Sequence, residues 1–393
     1  MSEPAFIPFA LPDVGEAEAL AVADAVRSGW VTSGPHMREF ENEFADYVGG
    51  GVEAVAVNSA TAGLHLSLES MGVGPGDEVI VPDWTFTATA EVVRYLGARP
   101  VIVDVERDTL NISLTAVEAA ITPRTKVVMP VHFAGLPVDL LSLREVIGES
   151  GIRIVEDAAH TLPAVGAAGR VGSGAASDAT VFSFYATKTI TTGEGGMITT
   201  RDPAIAARAR VMRLHGIDRD AFDRYTSSKP AWAYDVVAPG YKYNMPDTAA
   251  SIGRVQLARA DEMHRRRKAI AERYLAAFAD LPITLPTQAP EGHTHSWHLF
   301  VVRLTPEAGI ERDDFVAAMS AARVGTSVHF IPLHQHSYWS DFVANPAVTL
   351  PVATREGPLA VSLPIFSKMT DDEVDRVVAA VTTALRQTAF RAS

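Results

Sequence analysis

The sequence predicts an α/β protein: a large unit built on a mostly parallel central sheet, followed by a smaller C-terminal α+β unit. Two observations carry this. Between 50 and 200, short apolar runs alternate with helix-period segments, and the runs are apolar on both faces. Such strands belong inside a parallel sheet with helices covering each side. The chain is also long: its 393 residues exceed the roughly 250–300 over which a single core keeps growing.

Taken in order, the strand-like runs are VEAVAV (52–57), DEVIVP (77–82), RPVIVDV (99–105), TKVVMPVHF (125–133), IRIVED (152–157) and ATVFSF (179–184). Helical periods intervene, as at TAGLHLSLESMG (61–72) and TATAEVVRYLG (87–97). Residues 216–247 hold few apolar periods and contain Pro230, Pro239, Gly240 and Pro246. A loop of that length in a compact protein is usually functional or an interaction arm. From 248 to 281 the pattern predicts one long helix. After it come strand-like SWHLFVVRL (296–304), a helix from 311, strand-like TSVHFI (326–331) and a closing helix over 370–387. Thr370 and Glu373 form a capping box for that last helix. The expected division is an N-terminal arm (1–15), a large domain (16–247) with an interface loop (216–247), and a smaller domain (248–393).

A formal charge of −13 argues against general nucleic-acid affinity, which rests on clustered Lys and Arg. The one basic run, HRRRK (264–268), lies in a helical segment and reads as a solvated face. The absence of cysteine removes disulfides, thiolate metal sites and thiol catalysis together. No run approaches the roughly 18 apolar residues of a membrane span. The start, MSEPAFIPFALPDVGEAEAL, lacks the basic and apolar regions of a signal peptide, so a cytoplasmic location without membrane association is expected.

Six lysines stand against 28 arginines, and one of them, Lys188, lies between an apolar run and the glycine-rich TGEGG. A surface charge would be out of place there. Asp157 ends IRIVED about one strand–helix unit earlier, so both side chains are expected in one cleft beyond the strand ends. Glu156 and Asp157 are costly to bury without partners. Either they cap a helix or one of them faces a cationic ligand atom. His160 shares a face with Asp157 if a helix begins there.

AVAVNSATAGLHLSL (54–68) has the order strand, small-residue loop, helix. Unpaired amides and the dipole at a helix start attract phosphate, and Ser59, Ala60 and Thr61 allow close backbone approach. Simple capping by Ser59 or Thr61 explains the same residues. MGVGPGDEVIVP (71–82) is no dinucleotide loop, because its glycines precede the strand instead of following it. Six of the twelve histidines fall within 293–336. HTHSWH and HFIPLHQH contain neither carboxylate nor cysteine to complete a metal site, so substrate hydrogen bonding or packing is expected, and no metal. The phosphate cradle, Asp157, Ser183, an aromatic patch at DWTF (83–86) and Lys188 together make the kit that holds pyridoxal phosphate (PLP) as a Schiff base.

With those residues assembled, the chain resembles the DegT/DnrJ/EryC1/StrS family of sugar aminotransferases, which adopt fold type I of PLP enzymes. The resemblance runs through SGWVTSGP (28–35), NSATAGLHLSL (58–68), ITPRTKVVMPVHFAG (121–135), VEDAAH (155–160), SFYATKTITTGEGG (183–196), PGYKYNMPDTAASIG (239–253) and SLPIFSKMT (362–370). It implies that Lys188 binds PLP covalently and, once displaced by the amino donor, moves the proton. Asp157 would contact the pyridine nitrogen, and His160 would stand beside the ring hydroxyl. Ala60, Thr61 and Ser183 would hold the phosphate, joined by Asn244 of the partner subunit. Phe86 would stack on the ring, with Trp84 as a second candidate. His329 would lie near the sugar, and Tyr241 and Lys242 would reach a nucleotide diphosphate across a homodimer interface.

The implied reaction carries an amino group from glutamate, by way of pyridoxamine phosphate, to C4 of a nucleotide-linked 4-keto sugar. YDVVAPGYKYN (234–244) is similar to the family's UDP-4-amino-4-deoxy-L-arabinose aminotransferases. Tyr185, Thr187 and HFIPLH (329–334) depart from them and favour a TDP-4-keto-6-deoxyhexose. Amination at C3 is an alternative within the family. Members that dehydrate sugars carry histidine where Lys188 stands. A PLP-binding regulatory protein without turnover is the alternative of another class.

Overall fold

The structure, a computed structural model, describes residues 4–219 and 232–389. Residues 220–231 of the expected interface loop, Pro230 among them, lie outside the described residues. Helices α1 (Glu16–Ser28) and α2 (Pro35–Val48) lead into β1 (Glu53–Val57), and α3 (Ala60–Ser70) follows. Then come β2 (Glu78–Pro82), α4 (Ala88–Tyr95), β3 (Arg99–Val103), α5 (Leu114–Ala120) and β4 (Thr125–Val128). The unit continues with α6 (Leu140–Ile147), β5 (Arg153–Asp157), a short ribbon of β6 (Val165–Gly166) and β7 (Gly169–Arg170), β8 (Ala179–Ser183), β9 (Gly196–Thr200) and α7 (Pro203–Met212).

These strands form one seven-stranded sheet in the order β1-β9-β8-β5-β4-β2-β3. Only β9 runs antiparallel to its neighbours. The apolar runs of the sequence become strands buried on both faces: Val79, Ile80 and Val81 of β2 and Ile154 and Val155 of β5 are all sealed from solvent. Local caps set the helix starts. Ser59 accepts from the Ala62 amide, Asp139 from those of Leu141 and Ser142, and Asp202, just before Pro203, from that of Ala204.

The start of α2 is capped from far away in sequence. Asp247, fully buried, accepts the amides of Gly34 (2.7 Å), His36 (3.0 Å) and Met37 (3.0 Å). It opens α8 (Asp247–Ala258), which packs against α1 and α2. The long helix expected over 248–281 is broken: α9 (Ala260–Phe278) starts after Arg259, which leaves helical geometry and pairs with Asp13 at 3.2 Å.

A second sheet, antiparallel, is built from β10 (Ile283–Thr284), β11 (Phe300–Leu304) and β12 (Ala360–Leu363). Its core joins Tyr274 and Phe278 of α9, Phe315 of α10 (Arg312–Ala321) and Val377 of the last helix, Asp371–Ala389. Ile7 from the chain start is buried in this same core and bridges Val324. The capping box forms as expected: the Glu373 amide donates to Thr370 Oγ1 (3.2 Å) and the Thr370 amide to Glu373 Oε2 (2.9 Å).

Two expectations are corrected here. TSVHFI makes a single bridge, Ser327 to Ser362, and no strand; its backbone leaves the sheet so that His329 and Phe330 line a cavity. HRRRK is not one solvated face. The helical period leaves Arg265 and Lys268 exposed but turns Arg267 onto the buried stripe with Met263, Ile270 and Tyr274.

Candidate active site

The carboxyl ends of β1, β2, β5 and β8 open onto one cavity of about 340 Å³. Ligands of open α/β sheets bind at this edge. Ala60, Thr61, Phe86, Asp157, His160, Ser183, Lys188 and His329 all line it.

Strand β5 lies at the centre of the sheet, and its last two residues point to opposite faces. Glu156 turns away from the cavity and accepts from His132 Nε2 (2.7 Å), Thr180 Oγ1 (2.6 Å) and Ser177 Oγ. His132 Nδ1 accepts the Val138 amide (2.9 Å), so the ring proton sits on Nε2. Burial pushes the Glu156 carboxyl up, but these donors outweigh it and hold it below the ordinary range. Asp157 faces the cavity. Thr89 Oγ1 donates to its Oδ2 (2.8 Å) and the Ala159 amide to its Oδ1 (3.1 Å). Thr85 and Thr89 hydroxyls lie 2.8 Å apart. Burial raises the Asp157 carboxyl, against the pull of Ala159, Thr89 and Lys188.

Lys188 sits in the turn after β8, its amide donating to the Tyr185 carbonyl at 2.9 Å. The side chain is half-buried in the cavity wall, and no hydrogen bond or ion pair holds its amine among the described residues. Burial brings its pKa down to about 8, with Asp157 opposing. No helix begins at Asp157; a turn carries the chain to His160. Its Nδ1 accepts the Ala134 amide (3.3 Å). Burial, then the charge of Lys188, holds the imidazole well below its usual pKa. A neutral ring that accepts at Nδ1 carries its proton at Nε2. Ser296 Oγ donates to the His160 carbonyl, and only a glycine at 135, with φ +103°, lets that serine approach.

Ala60 and Thr61 bring the first amides of α3 to the cavity, amides that lack intrahelical acceptors. Strand β9 passes so close that a Cβ at Gly196 would lie 2.8 Å from the Ala60 nitrogen. An unpartnered amine, a buried carboxylate short of a cation and an anion-attracting helix end suit a molecule with an aldehyde, a basic ring nitrogen and a phosphate. PLP is such a molecule, and the residues fit it. Among the described residues no group of three or more histidines and carboxylates is arranged to hold a metal ion.

Phe86 is half exposed at the cavity mouth, its ring 5.8 Å from that of Phe330. Trp84 does not line the cavity. It is fully buried behind it, donating Nε1 to the His329 carbonyl (3.1 Å) and packing on Phe133. His329 Nδ1 lies 3.0 Å from Ser362 Oγ, and burial lowers its pKa to about 4. Asn244, Tyr241 and Lys242 stay outside this chain's own cavity. Asn244 donates to Ser33 Oγ and accepts from Lys242 Nζ, both at 2.7 Å, while Tyr241 stacks on Tyr243.

Sequence reasoning missed several wall residues. Phe9, stacked 5.1 Å from His329, and Ala10 arrive from the N-terminal arm. His298 also lines the cavity, and its only sequence signal was membership of HTHSWH. Nothing in TATAE distinguished Thr89.

The DegT/DnrJ/EryC1/StrS aminotransferase family matches residues 12–382. The spore coat polysaccharide biosynthesis protein SpsC of Bacillus subtilis (strain 168) is 43% identical over 378 residues, 96% of each chain. The putative sugar aminotransferase Spr1654 of Streptococcus pneumoniae in its PMP form superposes with a TM-score of 0.89 at 35% identity, covering 97% of this chain and 100% of that one. Its PLP form gives 0.88 at 34%, covering 98% and 99%. S. venezuelae DesV in complex with a ketimine intermediate gives 0.85 at 34%, covering 97% and 99%. The chain therefore belongs to the DegT/DnrJ/EryC1/StrS aminotransferase family and is a PLP-dependent sugar aminotransferase.

Proposed function

We propose that the protein transfers an amino group from glutamate to the C4 keto carbon of a nucleotide-linked 4-keto-6-deoxyhexose, probed first as the TDP sugar. The observation that carries the transaminase chemistry is the shared cavity of Lys188 and Asp157 at the carboxyl edge of the sheet. The C4 reading is supported by the similarity in YDVVAPGYKYN, and the hexose by the departures at Tyr185, Thr187 and HFIPLH.

Bound PLP supplies an electron sink through which an amine and a ketone exchange nitrogen. The chain's own residues hold and steer that chemistry. Asp157, fixed by Thr89 and Ala159, presents a carboxylate to a ring N–H and keeps the proton there. His160 presents Nε2–H to the ring oxygen. The Ala60 and Thr61 amides and Ser183 bind phosphate. Lys188, with a pKa near 8, is neutral often enough to take the proton from the donor's α-carbon and return it at the opposite end of the exchange. Phe86, at the mouth beside Phe330, would stack on the ring.

We further read the active enzyme as a homodimer in the cytoplasm. In support, Trp232, Tyr234, Val236 and Val237 are exposed apolar residues beside the residues expected to act across an interface. No helix among the described residues is long and apolar enough to cross a membrane. The test is a panel of 4-keto and 3-keto nucleotide sugars incubated with glutamate, with the products assigned by NMR. Exclusive amination at C3, or of a UDP-pentose, would replace the substrate named here.

A further inference from the structure

One buried group on the cavity wall has no part in the chemistry above. His298 lines the cavity and is 5% exposed. Neither ring nitrogen has a hydrogen-bond partner among the described residues; Nδ1 is sealed from solvent, whereas Nε2 stays accessible. The ring lies tilted against that of His160, their centroids 4.5 Å apart. Leaving a buried polar ring unpartnered is unfavourable unless a ligand completes it.

Behind His298 stands a second unbalanced group. Arg267 is 3% exposed and donates to the carbonyls of Trp297 (3.3 Å), His298 (3.3 Å) and Ile365 (2.8 Å), while its Nε has no partner. The acid whose charge acts on it, Asp13, is already ion-paired with Arg259. A buried guanidinium that shares its one acid with another arginine adds positive potential behind His298. Burial first, then His160, Lys188, Arg267 and His329, hold the His298 imidazole well below its usual pKa, so it is a neutral donor. The cavity lining contains no arginine, and its one lysine is Lys188.

An amino-acid donor carries a carboxylate on the same carbon that surrenders nitrogen, so that anion must lie deep in the cavity. A sugar diphosphate is held off from the reacting carbon by the sugar ring and lies farther out. We propose that His298 donates a hydrogen bond from Nε2 to the α-carboxylate of the amino donor, with Arg267 as a positioning residue that fixes the 297–298 carbonyls and adds positive potential. This rests on the amino-acid donor of the proposed function.

The test uses PLP-loaded enzyme, wild type, His298→Phe and His298→Asn. The ligand 2-methylglutamate binds but has no α-proton to lose, so an absorbance titration reads affinity without turnover. His298→Phe should keep the cofactor band and bind this ligand roughly 10–100-fold more weakly, with His298→Asn recovering part of the loss. Wild type should favour glutamate over its α-amide, isoglutamine, and His298→Phe should lose that preference. Binding by His298→Phe within twofold of wild type overturns the proposal. So does weakened binding of TDP with 2-methylglutamate unaffected, which would assign the wall to a diphosphate. If neither variant folds, wild type using isoglutamine as readily as glutamate overturns it equally. Failure of the wild type to react with glutamate at all would instead sink the donor assignment, and this inference with it.

Discussion

The Thr89 hydroxyl donates to Asp157 Oδ2 at 2.8 Å, inside a site where neither residue is exposed by more than a few per cent. Burial alone drives this carboxyl toward its neutral form, and Thr89 is one of two donors that resist. Thr89→Val keeps the volume and removes the donor. A hydrogen bond to a charged group is worth about 1.5–3 kcal/mol, so kcat should fall roughly 10–100-fold with little change in KM. Unchanged kcat would show that Asp157 needs no such support.

Lys188→Ala should leave the fold intact and abolish turnover, since the positioned base alone is worth roughly 10²–10⁴-fold and the covalent link is lost as well. Borohydride reduction followed by mass spectrometry should add the cofactor's mass to residue 188 in the wild type and to no residue in the variant. Near-normal turnover in the variant refutes the assignment.

Capture of PLP by the cofactor-free protein should depend on pH through Lys188. Below its pKa of about 8 the side chain is an ammonium ion and cannot attack an aldehyde; above it the free amine dominates. The association rate should therefore rise with pH and level off beyond about 8. The same shift has a stability sign. Between about 8 and 10.5 the unfolded chain holds a proton that the native state has released, so this group's contribution to stability grows with pH across that window. A capture profile whose midpoint stays near 10 would mean that the amine is not desolvated.

Gly196→Ala should weaken cofactor binding more than it weakens the fold. The new Cβ would fall 2.8 Å from the Ala60 nitrogen and from the Ser59 carbonyl, forcing apart the strand and the helix start that form the proposed phosphate cradle. Overpacking of this kind costs about 1–3 kcal/mol. Equilibrium dialysis should record a loss of PLP affinity of about tenfold or more; unaltered affinity would remove the cradle from the phosphate.

Asp247→Ala should destabilise the protein by about 2–4 kcal/mol, because three amides at the start of α2 lose one acceptor in a buried setting. Thermal melting checks this, and a loss under 0.5 kcal/mol would mean that water replaces the carboxylate at little cost.

Several features were legible because they depend on neighbours in sequence. Strands apolar on both faces announced the parallel sheet, Ser59 or Thr61 the start of α3, where Ser59 makes the cap, and Thr370 with Glu373 the start of the last helix. Others were not. TSVHFI has a strand's composition, yet its backbone is drawn out of the sheet toward the cavity. Arg267 looked like its basic neighbours until helix phase and the packing of α9 turned it inward.

The sequence by itself determined the α/β class, the pairing of Lys188 with Asp157 in one cleft and the choice of PLP, because backbone alternation and scarce, chemically distinct residues leave few other readings. Tertiary structure decided which wall each remaining side chain joined. Phe9, Thr89 and His298 reach the cavity, and Trp84 does not, through contacts between segments far apart in the chain. Proximity of that kind is a property of packing, and no local pattern of residues encodes it.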